Sequence, residues 1–310
     1  MGASVRILEL PAIRQSLSYS AIVSLMRDAL VAQSRGECDT PMPMHLDIAG
    51  QAEVHMKSSY RRGGRYFALK VASTFPGNLA RGLPTGNGMM LLASAESGEP
   101  VALLADSGHL TDVRTAAAGA MVARELGRQD RVLGIAGTGV QARLQAQMHA
   151  TVLPLERIWI WGRNPERAAE CRRDLAALLP NVEVQIAAST ARIAEHCRLI
   201  VTCTASRAPL LFAQDVRPGT HISAVGSDGP GKQELDPAIL TAATLLLADS
   251  RRQCAQLGEL QHAPGAFAYE IGDICLHPLP IPPGAITVCD FTGLGVEDLY
   301  IAEYCYQRSA

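Results

Sequence analysis

The sequence predicts an α/β chain in two parts, one built on a parallel sheet and the other of mixed α+β character. Three observations carry this. From residue 132 onward, short apolar runs alternate with single helical segments, the pattern of right-handed βαβ units. At the head of that alternation stands Gly137-Thr138-Gly139-Val140-Gln141-Ala142. Before it, from 44 to about 104, lie strand-like runs broken by Gly63-Gly64, Pro76-Gly77-Asn78 and Ser97-Gly98, the last suggesting a hairpin.

The elements follow in order. Residues 18–35 place Ile22, Leu25, Met26, Ala29 and Leu30 on one helical face, with Ser18 or Ser20 as cap and Gly36 as stop. Strands are expected at 66–72, 88–93 and 100–104, and a second helix at 111–127 with Thr111 as its N-cap. Then come strands at 132–136, 158–161, 182–186, 199–203, 221–225 and 245–248, with helices at 141–150, 165–179 and near 237–240. The tail, 296–307, reads as a closing helix that returns to the first part. The expected domains are 1–114 with 290–310, and 115–289.

Composition narrows the function. A chain of 310 residues, 48% hydrophobic and 19% charged, can bury two cores. Its net charge of -2 and the lack of a Lys/Arg run argue against nucleic acid as a partner. No apolar stretch has the length of a membrane span. The start, Met1-Gly2-Ala3-Ser4-Val5-Arg6, lacks the basic-then-apolar pattern of a signal peptide, and Arg6 argues against Gly2 as a lipid acceptor. A cytoplasmic protein is expected. Eight scattered cysteines, without Cys-x-x-Cys or His-Glu-x-x-His, read as buried reduced thiols, with no metal site.

Four places carry chemistry. In Gly137-x-Gly139-x-x-Ala142 the first glycine permits a tight strand–helix turn, the second admits a pyrophosphate, and the small third residue allows close packing. This is the Rossmann fingerprint, so NAD or NADP is expected there. The next strand ends in Gly162-Arg163-Asn164, without the acid that would bind the ribose of NAD. Arg163 suits a 2′-phosphate, which favours NADP(H) with NAD(H) possible; otherwise it caps an exposed turn. Arg114, read as lying in the first turn of its helix, could hold a substrate carboxylate or pair with Asp112 or Asp106. Lys70 interrupts an apolar strand; facing inward it needs a partner and could bind a carboxylate or move a proton, facing outward it is merely solvated. Asp228, after a Rossmann strand, could serve as acid or base near a nicotinamide, or could be turn chemistry only.

Taken together, these residues resemble the ornithine cyclodeaminase/μ-crystallin family. The matching stretches are Leu69-Lys70-Val71, Phe75-Pro76-Gly77-Asn78, Gly82-Leu83-Pro84-Thr85, Leu110-Thr111-Asp112-Val113-Arg114-Thr115-Ala116-Ala117 and the glycine motif. They continue with Val201-Thr202-Cys203-Thr204, residues 224–235, Leu257-Gly258-Glu259 and Thr292-Gly293-Leu294-Gly295-Val296-Glu297-Asp298. The resemblance implies a Rossmann dinucleotide-binding domain plus an α+β substrate-binding and dimerisation domain, in a homodimer. It implies that Lys70 and Arg114 hold a substrate carboxylate and that Asp228 serves the chemistry. Thr85, Thr115, Gly137, Gly139, Val140, Gln141, Arg163, Asn164, Thr204 and Lys232 would line the nucleotide.

Two departures matter. Many relatives carry an arginine where this chain reads Pro41-Met42-Pro43-Met44-His45-Leu46, so His45 or Arg61 is the expected substitute. Phe291 stands where the cyclodeaminases and μ-crystallin have serine, and Thr292-Gly293-x-Gly295 looks more like the family's imino-acid reductases. The resemblance therefore implies an enzyme: NAD(P)H-dependent reduction of Δ1-pyrroline-2-carboxylate or Δ1-piperideine-2-carboxylate to proline or pipecolate. The alternatives are an ornithine cyclodeaminase, an open-chain imino-acid reductase or amino-acid dehydrogenase, and a non-catalytic ligand-binding protein. Gly162-Arg163 in place of an acid, and the short tail after 296–307, favour an exchangeable cofactor and hence the reductase.

Overall fold

The computed structural model describes residues 4–309; Gly2, considered above as a lipid acceptor, lies outside them. In chain order the first elements are β1 (Arg6–Glu9), α1 (Leu10–Ser16), α2 (Tyr19–Ser34), β2 (Cys38–Asp39), β3 (Met44–Ile48), β4 (Ala52–Arg61), β5 (Tyr66–Thr74), β6 (Gly86–Ser94), β7 (Pro100–Ala105) and α3 (His109–Glu125). There follow β8 (Val132–Ala136), α4 (Val140–Val152), β9 (Arg157–Trp161), α5 (Pro165–Leu178), β10 (Glu183–Ile186), α6 (Thr190–His196), β11 (Leu199–Thr202), β12 (Arg207–Leu211) and β13 (His221–Ala224). The rest are β14 (Gln233–Leu235), α7 (Pro237–Ala242), β15 (Leu245–Ala248), α8 (Arg251–Leu257), β16 (Tyr269–Glu270), α9 (Ile271–Leu276), β17 (Thr287–Asp290) and α10 (Gly295–Arg308). They form two compact units: the chain up to Arg114 together with the segment from Leu294, and Thr115–Gly293.

The first unit is a seven-stranded sheet in the order β1-β7-β6-β5-β4-β2, with β3 paired to β4. Apart from the parallel β1–β7 pair its ladders are antiparallel. Side chains alternate across a strand, so each face can be read from the register. One face carries Ala68, Leu92 and Ala102, all buried, and α10 packs against β4, β5 and α2 within this unit. The other face carries the rows Met44–Met56–Val71–Met89 and Leu69–Leu91–Leu103–Ile7. Of these, Ile7, Met44, Leu69, Val71 and Met89 are exposed.

The second unit is an eight-stranded, wholly parallel sheet in the order β10-β9-β8-β11-β13-β17-β15-β16. Its central strands are buried from end to end, as strands covered on both faces must be. The order reverses between β8 and β11, the switch point of a Rossmann sheet. The fold is thus the expected one, an α/β chain with a Rossmann unit. The small parallel pair β12–β14 lies outside this sheet.

One local expectation is corrected. Helix α3 begins at His109, not at Thr111, because the buried Asp106 carboxylate accepts the Leu110 amide at 2.7 Å. An acid four residues upstream takes the capping place assigned to Thr111. Arg114 therefore lies beyond the first turn, and the helix-dipole argument for an anion beside it loses its force.

Candidate functional site

The first unit brings Lys70 and Arg114 together. Lys70 on β5 and Arg114 on α3 are 2% and 4% exposed. Both face Asp298 on α10: Lys70 Nζ lies 2.7 Å from Oδ2, and Arg114 Nε lies 3.1 Å from Oδ1. Arg114 Nη1 also lies 3.5 Å from Glu297 Oε2. Lys70 is thus the inward, paired lysine of the two readings above, and Arg114 has found acids far along the chain. The same helix start is organised by Glu297, whose Oε2 accepts the Leu294 amide at 2.6 Å.

Charge and burial act against each other here. Burial lowers Lys70 from its ordinary range to about 7; Asp298 works against that shift, while the cations Arg114 and Lys57 add to it. Asp298 is buried too, which alone would raise it, but Lys70, Arg114 and Lys57 together hold it below the usual carboxylate range. Lys57 was not anticipated. It stands directly opposite Lys70 in the β4–β5 ladder, so both lysines share one sheet face. Like charges so placed repel, and Asp298 is the acid that both act upon.

The substitutes considered for a missing arginine fall elsewhere. Arg61 is half exposed and donates from Nε and Nη2 to Glu37 Oε2, at 3.2 and 3.0 Å. His45 lies on β3, all of whose residues are exposed. Its ring meets that of His55 edge-on, with centroids 4.8 Å apart. Thr85 accepts the Phe75 amide with its carbonyl oxygen at 2.7 Å, closing the turn before β6.

In the second unit the glycine turn joins β8 to α4. Gly137 has φ +148, and a Cβ there would come within 2.5 Å of Cys203 Sγ and 2.9 Å of the Cys203 carbonyl oxygen. Only glycine fits. Gly139 is the N-cap of α4 and offers no side chain to its amides. No atom lies within 4 Å of the position a Gly139 Cβ would take, and Ala142 is fully buried. Open space before uncapped helix amides fits a pyrophosphate. Val140 is exposed and Gln141 half-buried in the first turn of α4. Thr115 is half-buried on α3.

At the end of β9, Asn164 caps α5 by accepting the Arg167 amide at 3.0 Å. Arg163 beside it is exposed, and among the described residues no partner holds it. Thr204 follows β11, across the switch point from Gly137. Asp228 follows β13 and pairs with Lys232 at 2.7 Å, so the two expected residues meet. The loop between them is shaped by Ser227 Oγ donating to the Lys232 carbonyl at 2.9 Å. His262 Nε2 lies 2.7 Å from that carbonyl oxygen.

Residues 6–310 match the Ornithine cyclodeaminase/mu-crystallin family, and the chain belongs to it. It is 38% identical over 298 residues to a putative dehydrogenase of Rhizobium meliloti (strain 1021), covering 93% of this chain and 90% of that one. It is 34% identical over 310 residues to a Δ1-pyrroline-2-carboxylate reductase of Paracoccus denitrificans (strain Pd 1222), covering 94% and 95%. Among solved structures it resembles an archaeal alanine dehydrogenase dimer with bound NAD, with a TM-score of 0.90, 28% identity and coverage of 98% and 96%.

The Asp298 cluster sets a stability test. Asp298→Asn leaves two buried cations without their shared carboxylate, and breaking such a pair costs about 3–5 kcal/mol. Urea unfolding of this variant should show a loss of that order; a change below about 1 kcal/mol would mean that Asp298 does not hold the cluster.

Proposed function

We propose that the chain is an NAD(P)H-dependent reductase of small imino acids, with Δ1-pyrroline-2-carboxylate and Δ1-piperideine-2-carboxylate as its best-fitting substrates. The carrying observation is the pair of buried cations, Lys70 and Arg114, in a unit of the same chain as a glycine turn shaped for pyrophosphate. Arg114 is the fixed charge, since a guanidinium stays protonated. Its planar fork suits a carboxylate, and the substrate's carboxylate is its natural second partner beside Asp298.

Lys70 suits the proton. A lysine near 7 is divided between its two forms at neutral pH, which is where a general acid works best. Donating a proton from Nζ to the imine nitrogen makes the adjacent carbon a stronger electrophile. Asp298, held ionised, remains to take back the ammonium when Lys70 is reprotonated. The dihydronicotinamide, when bound, supplies the hydride. Its phosphates fit the amides after Gly139, and Arg163 offers a charge for a 2′-phosphate, supporting use of NADPH as well as NADH. Asp228 and Lys232, on the loop after β13, are the polar groups proposed for the nicotinamide side, and Thr204, Thr115 and Thr85 for its surroundings.

The exposed apolar face of the first unit supports a homodimer. A contiguous face of this kind is a site of association, and the archaeal neighbour is described as a dimer. Light scattering at micromolar concentration should give twice the chain mass; a monomer would remove this part of the reading.

Cyclic imino acids, and keto acids mixed with amines, should drive stoichiometric oxidation of NADPH or NADH. Ammonia release from ornithine with only catalytic NAD, at a rate matching imine reduction, would reassign the chain as a cyclodeaminase. Strict use of NADH that survives Arg163→Ala would remove the role given to Arg163.

The pH profile tests Lys70. Its charged form is the one that binds a carboxylate and gives a proton, and that form is lost as pH rises through about 7. kcat/KM should therefore fall about tenfold per pH unit above that point. In Lys70→Arg, whose guanidinium keeps its charge but does not give up its proton, kcat/KM should fall about a hundredfold or more, and the residual activity should lack this alkaline limb. A wild-type profile flat from pH 6 to 9, or a limb that Lys70→Arg leaves in place, would exclude Lys70 as the titrating group.

A further inference from the structure

The second unit contains a fully buried acid that the reading above does not use. Glu234, on β14, is 0% exposed. Its Oε1 accepts the Thr204 amide at 2.6 Å and the Thr204 hydroxyl at 2.7 Å, and its Oε2 accepts the Gly226 amide at 2.9 Å. Thr204 lies two residues past β11, and Gly226 two residues past the adjacent parallel strand β13. One carboxylate therefore ties together two loops at the carboxyl end of the sheet, where ligands bind in open α/β folds.

The approach leaves no room for a side chain at position 226. A Cβ on Gly226 would fall 2.1 Å from the Thr204 carbonyl oxygen and 2.7 Å from Glu234 Cδ. The loop from Gly226 to Lys232, which holds Asp228, is thus pinned at its mouth by the side chain of the residue two positions past its other end. Glu234 is itself braced. Its amide donates to Glu259 Oε1 at 2.7 Å, and the Glu259 and Leu260 amides donate to the two oxygens of Asp290 at 3.0 and 2.9 Å.

We propose that Glu234 is a positioning residue for the nucleotide and for Asp228: its carboxylate fixes the Thr204 and Gly226 loops so that both are preset before cofactor binds. This rests on the reading that a dinucleotide occupies the carboxyl end of this sheet. Two amides and a hydroxyl, all donors, converge on Glu234, and only an acceptor at both oxygens satisfies them. Burial pushes the carboxyl up to about 7, and the hydrogen bonds from Thr204 and Gly226 work against that rise. In Glu234→Gln one oxygen becomes an NH2 that faces a donor. In Glu234→Asp the charge remains, but the chain is one methylene too short to reach both loops.

The test begins with the wild-type protein free of cofactor. By NMR hydrogen exchange the Thr204 and Gly226 amides should be protected; exchange at the rate of open loops would show that the clip does not exist in solution. The dissociation constant of NADH and NADPH is then followed by nicotinamide fluorescence. Glu234→Gln and Glu234→Asp should each weaken binding at least tenfold. Arg128→Met serves as the comparison, because Arg128 ties the opposite, amino ends of the same two strands: it donates to the Arg198 carbonyl at 2.8 Å, just before β11, and to the Gly219 carbonyl at 3.0 Å, just before β13. It should lower Tm with binding changed less than twofold. A soluble Glu234 variant that binds within twofold of wild type overturns the proposal, as does an Arg128→Met effect on binding equal to that of Glu234→Gln. If wild type binds neither coenzyme, the nucleotide reading fails and the proposal with it, while the exchange data still report whether the clip forms. If neither Glu234 variant folds, the exchange measurement decides.

Discussion

The first unit depends on one buried carboxylate. Asp298 is the acid that Lys70 and Arg114 share, and all three are nearly inaccessible to water. Taking a lysine and an arginine out of water is tolerable only if an anion accompanies them. Here that anion comes from the last helix of the chain. Lys70 on β5, Arg114 on α3 and Asp298 on α10 can only meet once α10 has packed on the sheet. The cluster therefore belongs to the folded unit and to no single segment.

The second unit treats buried acids in the opposite way. Glu234, Glu259, Asp290 and Asp249 are all buried, yet their partners are mainly backbone amides of neighbouring segments. Burial raises Glu259 to about 9 and Asp290 to about 7. Glu234 and Asp290 add to the difficulty of ionising Glu259, and Asp249 to that of ionising Asp290. What these groups provide is geometry. Glu234 and Asp249 fix residues just past the carboxyl ends of β11, β13 and β17, while Glu259 holds the β14 backbone and Asp290 the segment after α8, giving partners to amides that the parallel ladder alone leaves without them. The first unit buries opposite charges against one another; the second buries acids to hold backbone in place.

The Rossmann unit was largely legible in the sequence because its signals are local. The strand β8, the turn at Gly137 and the helix α4 lie within 21 residues of one another in the chain, and each glycine has its own steric reason. Strands 132–136 and 245–248 were placed with the bounds the structure shows. The pair β12–β14 and strands β16 and β17 went unread: β16 is only two residues long, and β12 passes from exposed to half-buried to buried positions without alternation. The start of α3 was misplaced by two residues because a threonine looked like the cap and the true acceptor, Asp106, lay across a tight turn with Ser107 at positive φ.

The partners of the site were not legible, for a reason of distance. Lys70 and Arg114 could be marked as odd cations, one in an apolar strand and one in a helix, but nothing near either names Asp298. Lys57 illustrates the same limit more sharply. In the sequence it is an ordinary strand lysine; only the β4–β5 register, set by the turn after Arg61, brings it opposite Lys70. A slip of one residue would send Lys57 to the other face of the sheet, and Asp298 would then answer to two cations instead of three. The charge balance around the proposed substrate carboxylate is thus fixed by hairpin register, a property no single residue carries.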